Sequence, residues 1–465
     1  MKMPQNKTAS LWSSVVAAGN LSSRILVGKD TQATWNELVH GSVLQGSIDD
    51  LRGKSVLLAT LDQFSAAAAL IQIDGIARRI VLYPPDLPIE HLSYVATTAE
   101  ADVIVTDHPE IEPVAYGVSH VIRTGSDLVP VAIDRGSEIE TEWILLTSGT
   151  TGLPKLAVHT LASLAGSAWH ADPASASIVW STFYDMRRYG GMHIFLHAAL
   201  GGTSLVVSSA QESVADFFAR ASAHGVTNIS GTPSHWRRAL MSPAAHRISP
   251  SYIRMSGEIV DQAILNQVQA KYPQAKVAHT FASTEAGVGF NVNDGLMGFP
   301  EEILVSNPLI EMKIKDGTLR IRSNRTATRY LGSDSPNLSD SDGFVDTGDT
   351  LELRNGRYYF TGRRDGVINV GGYKVHPEEV EAVINRHAQV AMSLVKAKKN
   401  PITGALVVAD IVLKAPSING NADALQRDIL HFCRGSLDAH KVPAAINFVP
   451  MLAIGESGKL VRRHA

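Results

Sequence analysis

The stretch LLTSGTTGLPKLAVHT, Leu145 to Thr160, decides how this chain is read. Positions Thr147 to Leu153 hold only Thr, Ser, Gly and one Leu, and Pro154 and Lys155 follow. Ser, Thr and Gly pack poorly, so a core segment is not built this way. Backbone amides of such a loop can converge on phosphate oxygens, hydroxyls can add donors, and a lysine can supply a point charge. The spacing Gly149-Thr150-Thr151-Gly152-Leu153-Pro154-Lys155 is not that of the common nucleotide loop, Gly-x-x-x-x-Gly-Lys-Ser/Thr. The alternative is a flexible surface loop between the strand WILL and a helix.

On the N-terminal side, short β-rich runs alternate with alanine-rich helical ones. SVLLAT (Ser55–Thr60), RIVLYPP and ADVIVTD (Ala101–Asp107) read as strands, and Gln63–Ala77 as a helix. On the C-terminal side, SLVVSS (Ser204–Ser209), ESVADFFARASAHG and VTNISGTP repeat the strand–helix–strand unit. This rhythm predicts an α/β fold with parallel sheets covered by helices. From about residue 310 it changes. Asp316-Gly317 and Asn355-Gly356 sit between alternating runs, a hairpin signal. HPEEVEAVINRHAQV reads as a helix with Pro377 in its first turn, and Glu378, Glu379 and Glu381 as its acidic start. The expected organisation is a large domain, 1–364, of βαβ-type sheets with a β-rich subdomain, and a small α+β domain, 365–465, with the boundary at TGRRDG.

Three later stretches add chemistry. HTFASTEAG holds one acid, Glu285, behind small and hydroxyl residues; GFVDTGDTLEL places Asp349 after Thr347-Gly348; and GESGKLVRR carries Lys459 in a glycine-rich turn. Together these residues resemble the adenylate-forming superfamily: acyl- and aryl-CoA synthetases, nonribosomal-peptide adenylation domains and luciferases. The resemblance runs from about RILVGKDTQATWNEL to the end of the chain, with five motifs in the family's order.

The resemblance implies roles. The phosphate loop Thr-Ser-Gly-Thr-Thr-Gly-x-Pro-Lys is matched from Thr147 to Lys155, so Thr147, Ser148, Gly149, Thr150, Thr151, Gly152 and Lys155 would bind ATP. Ser256-Gly257-Glu258 resembles the adenine strip. Phe281-Ala282-Ser283-Thr284-Glu285 resembles Tyr-Gly-x-Thr-Glu, departing at its first two positions; Phe281 would stack on adenine, Thr284 and Glu285 would be catalytic, and Glu285 would hold Mg²⁺. Asp349 falls on the ribose-binding Asp, Arg363 on the following Arg, Asp365 on the hinge of a mobile C-terminal domain, Gly372 on the thiol tunnel and Lys459 on the catalytic lysine. The implied reaction activates a carboxylic acid with ATP to acyl-AMP and pyrophosphate, then transfers the acyl group to coenzyme A. The alternatives are transfer to a separate carrier protein's phosphopantetheine, or a non-catalytic nucleotide sensor on the same fold.

The acid pocket is expected in STFYDMRRYGGMHIF, from Tyr184, Asp185, Arg188 and Gly191, with an internal Asp–Arg ion pair as the alternative reading. An amino-acid substrate held by Asp185 is a further possibility. His193 and His197, four apart, read as helix packing, since no third metal ligand is evident. The run Lys396–Lys399 reads as a solvated loop or a contact for coenzyme A phosphates.

Composition sets the outer bounds. The 465 residues exceed one hydrophobic core, and 45% hydrophobic with 19% charged residues suits an ordinary globular protein. A net charge of −3 gives no reason to expect nucleic acid, and no apolar run is long enough for a membrane span. The lone Cys433 excludes an intrachain disulfide and a thiolate zinc cage. A cytoplasmic location is expected, because Ser13 and Ser14 interrupt the only signal-like stretch.

Overall fold

The computed structural model describes residues 10–135, 138–147, 152–166, 177–332, 335–414, 422–455 and 458–462. Two eight-stranded sheets form the body. In the first, Glu142–Thr147, Arg79–Leu82, Ser55–Leu58, Val103–Thr106 and His120–Pro130 run parallel in that order. In the second, Ser204–Val207, Val179–Thr182, Asn228–Gly231, Tyr252–Ser256 and Lys276–Ser283 do the same. Successive strand side chains point to opposite faces. Val56 and Leu58 therefore enter one core with Leu205 and Val207 of the other sheet, while Leu57 meets Leu92 and Val95 on the outside.

Helices Gln63–Ile73 and Tyr189–Gly201 belong to that shared core. Every residue of Gln63–Ile73 is buried; most are apolar, and the polar Gln63, Ser65 and Gln72 find hydrogen-bond partners. Its run Ala66–Ala69 has no bulk to hold neighbouring layers apart. Residues Phe299–Pro300, Ile310–Lys315, Thr318–Ser323, Val345–Arg354 and Arg357–Arg363 form a five-stranded antiparallel sheet, the anticipated β-rich part. Both of its predicted hairpins turn where the residue pair has positive φ: 53° and 74° at Asp316-Gly317, 51° and 74° at Asn355-Gly356. Those values match the turn that asparagine or aspartate followed by glycine favours.

The last hundred residues add helices Pro377–Ile384 and Ala422–Arg434 on a three-stranded sheet, Val390–Asn400, Gly404–Leu413 and Ala445–Phe448. They enclose a separate hydrophobic cluster around Val380, Ile384, Val395, Ile411 and Ile429. The fold is thus α/β with an α+β C-terminal layer, as read from sequence. No helix among the described residues is long and apolar enough to cross a membrane.

Two local expectations change. Helix Pro377–Ile384 ends before HAQV, because Val390 is drawn into the buried sheet instead. The Thr/Ser/Gly loop leads into a strand, Lys155–His159, which pairs antiparallel with Glu142–Thr147 and sets Thr147 opposite Lys155. A helix begins only at Leu161, capped by Thr160. The two segments that flank the loop are therefore paired antiparallel strands, not a strand and a helix.

Candidate active site

Lys459 is the residue that organises the cleft. Its Cε lies 3.7 Å from where a Cβ on Gly257 would stand, and the Tyr184 hydroxyl is 3.8 Å from the same point. A Cβ at Gly257 would thus be in van der Waals contact with both groups. Gly257 itself has φ +86°, a left-handed conformation that glycine adopts without strain. Lys459 also lies close enough to Asp349 to favour its charged form, against burial, which raises the pKa of that carboxyl; Arg363 acts in the same direction as Lys459. Asp349 faces Arg363 across the antiparallel pair of strands, with 3.8 Å between guanidinium and carboxylate.

The loop bearing Lys459 is held from the large body. Thr232 Oγ1 donates to the Gly458 carbonyl at 2.5 Å, and the Leu460 amide donates to Glu258 Oε1 at 3.0 Å. Glu258 also accepts from the Ser234 amide at 2.9 Å and its hydroxyl at 3.0 Å. Its carboxylate thus ties helix Pro233–Met241 to the Lys459 loop, a different use from lining an adenine. Gly458 lies flat against His235: a Cβ there would fall 2.0 Å from the ring. Burial holds His235 at a pKa of about 3, so the ring is neutral, and its Nδ1 accepts from the Thr232 amide. Behind the loop, Arg462 meets both oxygens of Glu381 at 2.7 Å and the Val395 carbonyl at 3.0 Å. Burial pushes the Glu381 carboxyl up to about 7 despite Arg462. No sequence motif pointed to Thr232, His235 or Arg462, and Glu381, read as part of an acidic helix start, is instead the partner of Arg462.

Glu285 stands at the turn between strands Lys276–Ser283 and Gly287–Val292. Tyr330 Oη donates to its Oε1 at 3.1 Å, and the other oxygen meets no donor among the described residues. His159 Nε2 reaches the Thr284 carbonyl at 2.7 Å, so that nitrogen carries the proton. Burial keeps His159 near a pKa of about 4, and the neutral ring pins the Thr284–Glu285 turn to strand Lys155–His159. Gly287 allows the close approach on the other side, where a Cβ would lie 2.5 Å from the Arg325 carbonyl. Lys155 Nζ sits 5.4 Å from the centre of the Tyr330 ring, linking the phosphate-loop lysine to the Glu285 corner. Thr147 Oγ1 is buried without a hydrogen-bond partner among the described residues. Ser148, Gly149, Thr150 and Thr151 lie outside those residues, and Gly152 is exposed with φ +87°.

An orphaned threonine hydroxyl, Lys155, Arg363 and Lys459 fit a triphosphate. A single carboxylate with an open oxygen fits Mg²⁺, which binds through one or two carboxylates plus substrate phosphates. Among the described residues no group of three His, Cys, Asp or Glu could hold a metal alone.

For Asp185 the internal Asp–Arg ion pair is the reading that holds, and three further sequence expectations need correction. Asp185 pairs with Arg187 at 2.5 Å, and Arg187 is 1% exposed, so this carboxylate is held internally. Arg188 pairs with Asp86 at 2.5 Å. Gly191 is a packing glycine: a Cβ would fall 2.1 Å from the Asp185 carbonyl. Phe281 is set in an aromatic row, near-parallel to Phe360 at 5.3 Å and to Phe290 at 5.6 Å, because strand alternation turns it away from the face of Thr280 and Ala282. Of the four residues expected around the acid, only Tyr184 is at the cleft, its hydroxyl 2.7 Å from the Ser256 carbonyl. Asp365 is exposed in the turn Arg364–Gly366, and Gly372 is exposed at the hairpin tip, lining a cleft with Lys396 and Thr403 instead of the Lys459 site. His193 and His197 lie within helix Tyr189–Gly201, with 3.2 Å between their Nε2 atoms.

Lys155 and Glu285 share Tyr330, while Arg363 and Lys459 share Asp349, so the four come from distant segments to two adjoining contacts. The chain belongs to the AMP-binding enzyme family: that family's model matches residues 56–326, and the model of the AMP-binding enzyme C-terminal domain matches 379–459. Among curated proteins it is 28% identical over 362 residues to the mitochondrial acyl-coenzyme A synthetase ACSM4 of Rattus norvegicus, covering 71% of this chain but 61% of that protein. It is 24% identical to the acetyl-coenzyme A synthetase of Bacillus subtilis (strain 168), covering 78% of this chain and 72% of that one. The fold is similar to that of the anthranilate CoA ligase AuaEII in complex with anthranoyl-AMP: TM-score 0.78, 18% identity, 99% of this chain and 97% of the other. A benzoate CoA ligase from Burkholderia xenovorans LB400 gives 0.78 at 18% identity, covering 97% and 98%.

Proposed function

We propose that this protein activates a carboxylic acid with ATP and transfers the acyl group to a thiol, coenzyme A being the favoured acceptor. The carrying observation is the meeting of Lys459 with Gly257, Tyr184 and Asp349, residues of four separate segments. In the first step a carboxylate oxygen attacks the α-phosphorus, and the bond to the β-phosphate breaks, releasing pyrophosphate. Negative charge is spread over phosphoryl oxygens, so the work of the protein is positioning and cationic stabilisation. Lys459 suits the attacked oxygens, Lys155 the leaving phosphates, and Asp349 the ribose hydroxyls. Mg²⁺ bound at Glu285 and the phosphates would neutralise part of that charge. In the second step a thiol sulfur attacks the acyl carbon, and AMP leaves.

The same lysine cannot remain in place while a thiol enters beside it. The small domain, 365–465, would therefore swing about Asp365 and bring Gly372 to the cleft, away from its exposed position here. Such closures are absorbed by a few residues at element ends. ATP–pyrophosphate exchange across a panel of acids is the primary test; no exchange with any acid overturns the proposal in favour of a sensor. Lys459→Ala should lower exchange about a thousandfold while still converting supplied acyl-AMP to thioester, and Gly372→Leu should do the reverse. Equal damage to both halves by both variants would rule out the two-position mechanism. Thioester formed only with a carrier protein would replace coenzyme A as the acceptor.

A further inference from the structure

Strand Tyr252–Ser256 carries an arginine for which no motif or ion pair accounts. Arg254 is 7% exposed and shares a strand face with Ser256, the residue that Tyr184 binds at the cleft. Its Nε donates to Thr280 Oγ1 at 2.9 Å, and the Thr280 hydroxyl donates onward to Asn291 Oδ1 at 2.5 Å. The guanidinium is therefore oriented. Yet among the described residues neither of its amino groups meets an acceptor, and no carboxylate lies within ion-pair distance.

The other deeply buried arginines differ. Arg187 has Asp185, Arg237 has Asp261, and Arg79 has Glu142. Arg24 fills its amino groups with the carbonyls of Ala199 and Val15. Around Arg254 the titratable neighbours are Tyr184, Tyr189, Tyr252, His193 and His197, and none supplies a negative charge at neutral pH. Burial lowers the pKa of the guanidinium without discharging it. A buried, oriented and unpaired cation is costly to maintain. Such a group beside a cleft points to an anionic ligand that completes it.

We propose that Arg254 receives a second carboxylate of the acid substrate, so that the enzyme activates one end of a dicarboxylic acid and holds the other on this guanidinium. The inference rests on the acid-activating role proposed above. The reacting carboxylate lies at the Gly257–Lys459 end. Ser256 and Arg254, two residues apart, are separated by about 6.6 Å along a strand, which scales with a short diacid lying along it. Tyr184 and Tyr189 lie close enough to Arg254 to feel its charge. A guanidinium fork pairs with a carboxylate through two parallel hydrogen bonds, whereas a methyl or phenyl end leaves it unpaired.

The test is ATP–pyrophosphate exchange by the full chain with matched pairs: succinate against butyrate, glutarate against valerate, and the benzenedicarboxylates against benzoate. At least one diacid should exceed its partner in kcat/KM by about 100-fold, since a site built to pair a polar group rejects analogues lacking it. Arg254→Gln should collapse that ratio to near one, and Arg254→Lys should keep most of it. The wild-type ratios alone decide the matter if the glutamine variant does not fold. Monoacids preferred throughout, or a ratio that survives Arg254→Gln, overturn the diacid inference and leave acid activation standing. No exchange with any acid overturns both.

Discussion

Arginines stand in two places that differ in one respect: the loop after Tyr184 and the strand Tyr252–Ser256. Arg187 and Arg188 follow Asp185 in a conspicuous charged loop, and each has a carboxylate at 2.5 Å. Arg254 stands alone in an ordinary strand and has none among the described residues. The loop drew attention because charge there is unusual; the structure shows that its charges cancel internally. The strand drew none, because an arginine between apolar residues has nothing local to mark it. A buried charge points to a ligand only when its partner is missing, and that is visible only in three dimensions.

The contrast can be broken most forcefully at Arg187. Arg187→Met leaves Asp185 buried and alone, and should cost about 3–5 kcal/mol in denaturant unfolding. Adding Asp185→Leu should recover most of that loss. A single-variant effect under about 1 kcal/mol would mean that the pair is not structural.

Arg254→Met should behave oppositely. Removing an uncompensated buried cation should leave unfolding free energy within about 1 kcal/mol of wild type, or raise it. A loss as large as that of Arg187→Met would reveal a hidden partner and make the two sites alike.

The finest distinction lies in pH. Burial first, and Arg254 next, hold His197 at a pKa of about 3, and burial, His197 and Arg254 depress His193. A histidine depressed below its ordinary value near 6.5 contributes stability fully above that pH. The contribution is lost as pH falls toward the folded value. Melting temperature should therefore fall on acidification below about pH 6.5, and the fall should be shallower in Arg254→Met. Parallel curves for the two proteins would place Arg254 too far from the histidines to matter.

Much of the molecule was legible in one dimension. The strand–helix rhythm marked the parallel sheets, because burial on both faces demands short apolar runs with helices between them. Asp316-Gly317 and Asn355-Gly356 marked the hairpins, because few pairs adopt positive φ at both positions. Lys155, Glu285, Asp349, Arg363 and Lys459 were picked out as a set; in the fold Lys155 and Glu285 both lie against Tyr330, and Arg363 and Lys459 both lie near Asp349. Less legible were the strand after the Thr/Ser/Gly loop, the ring of Phe281 among other phenylalanines, and the carboxylate of Glu258 on the Leu460 amide.

The sequence by itself determined what depends on near neighbours: periodicity, turn chemistry, and which residue types could serve a phosphate. Only the tertiary structure decided which charges are free to act. Arg188 finds Asp86, 102 positions away, and Leu460 finds Glu258, 202 positions away. Counterions and close approaches of that kind are set by how sheets stack and how the final layer docks. A charge in a cleft and a charge in a buried pair therefore look the same until the chain is folded.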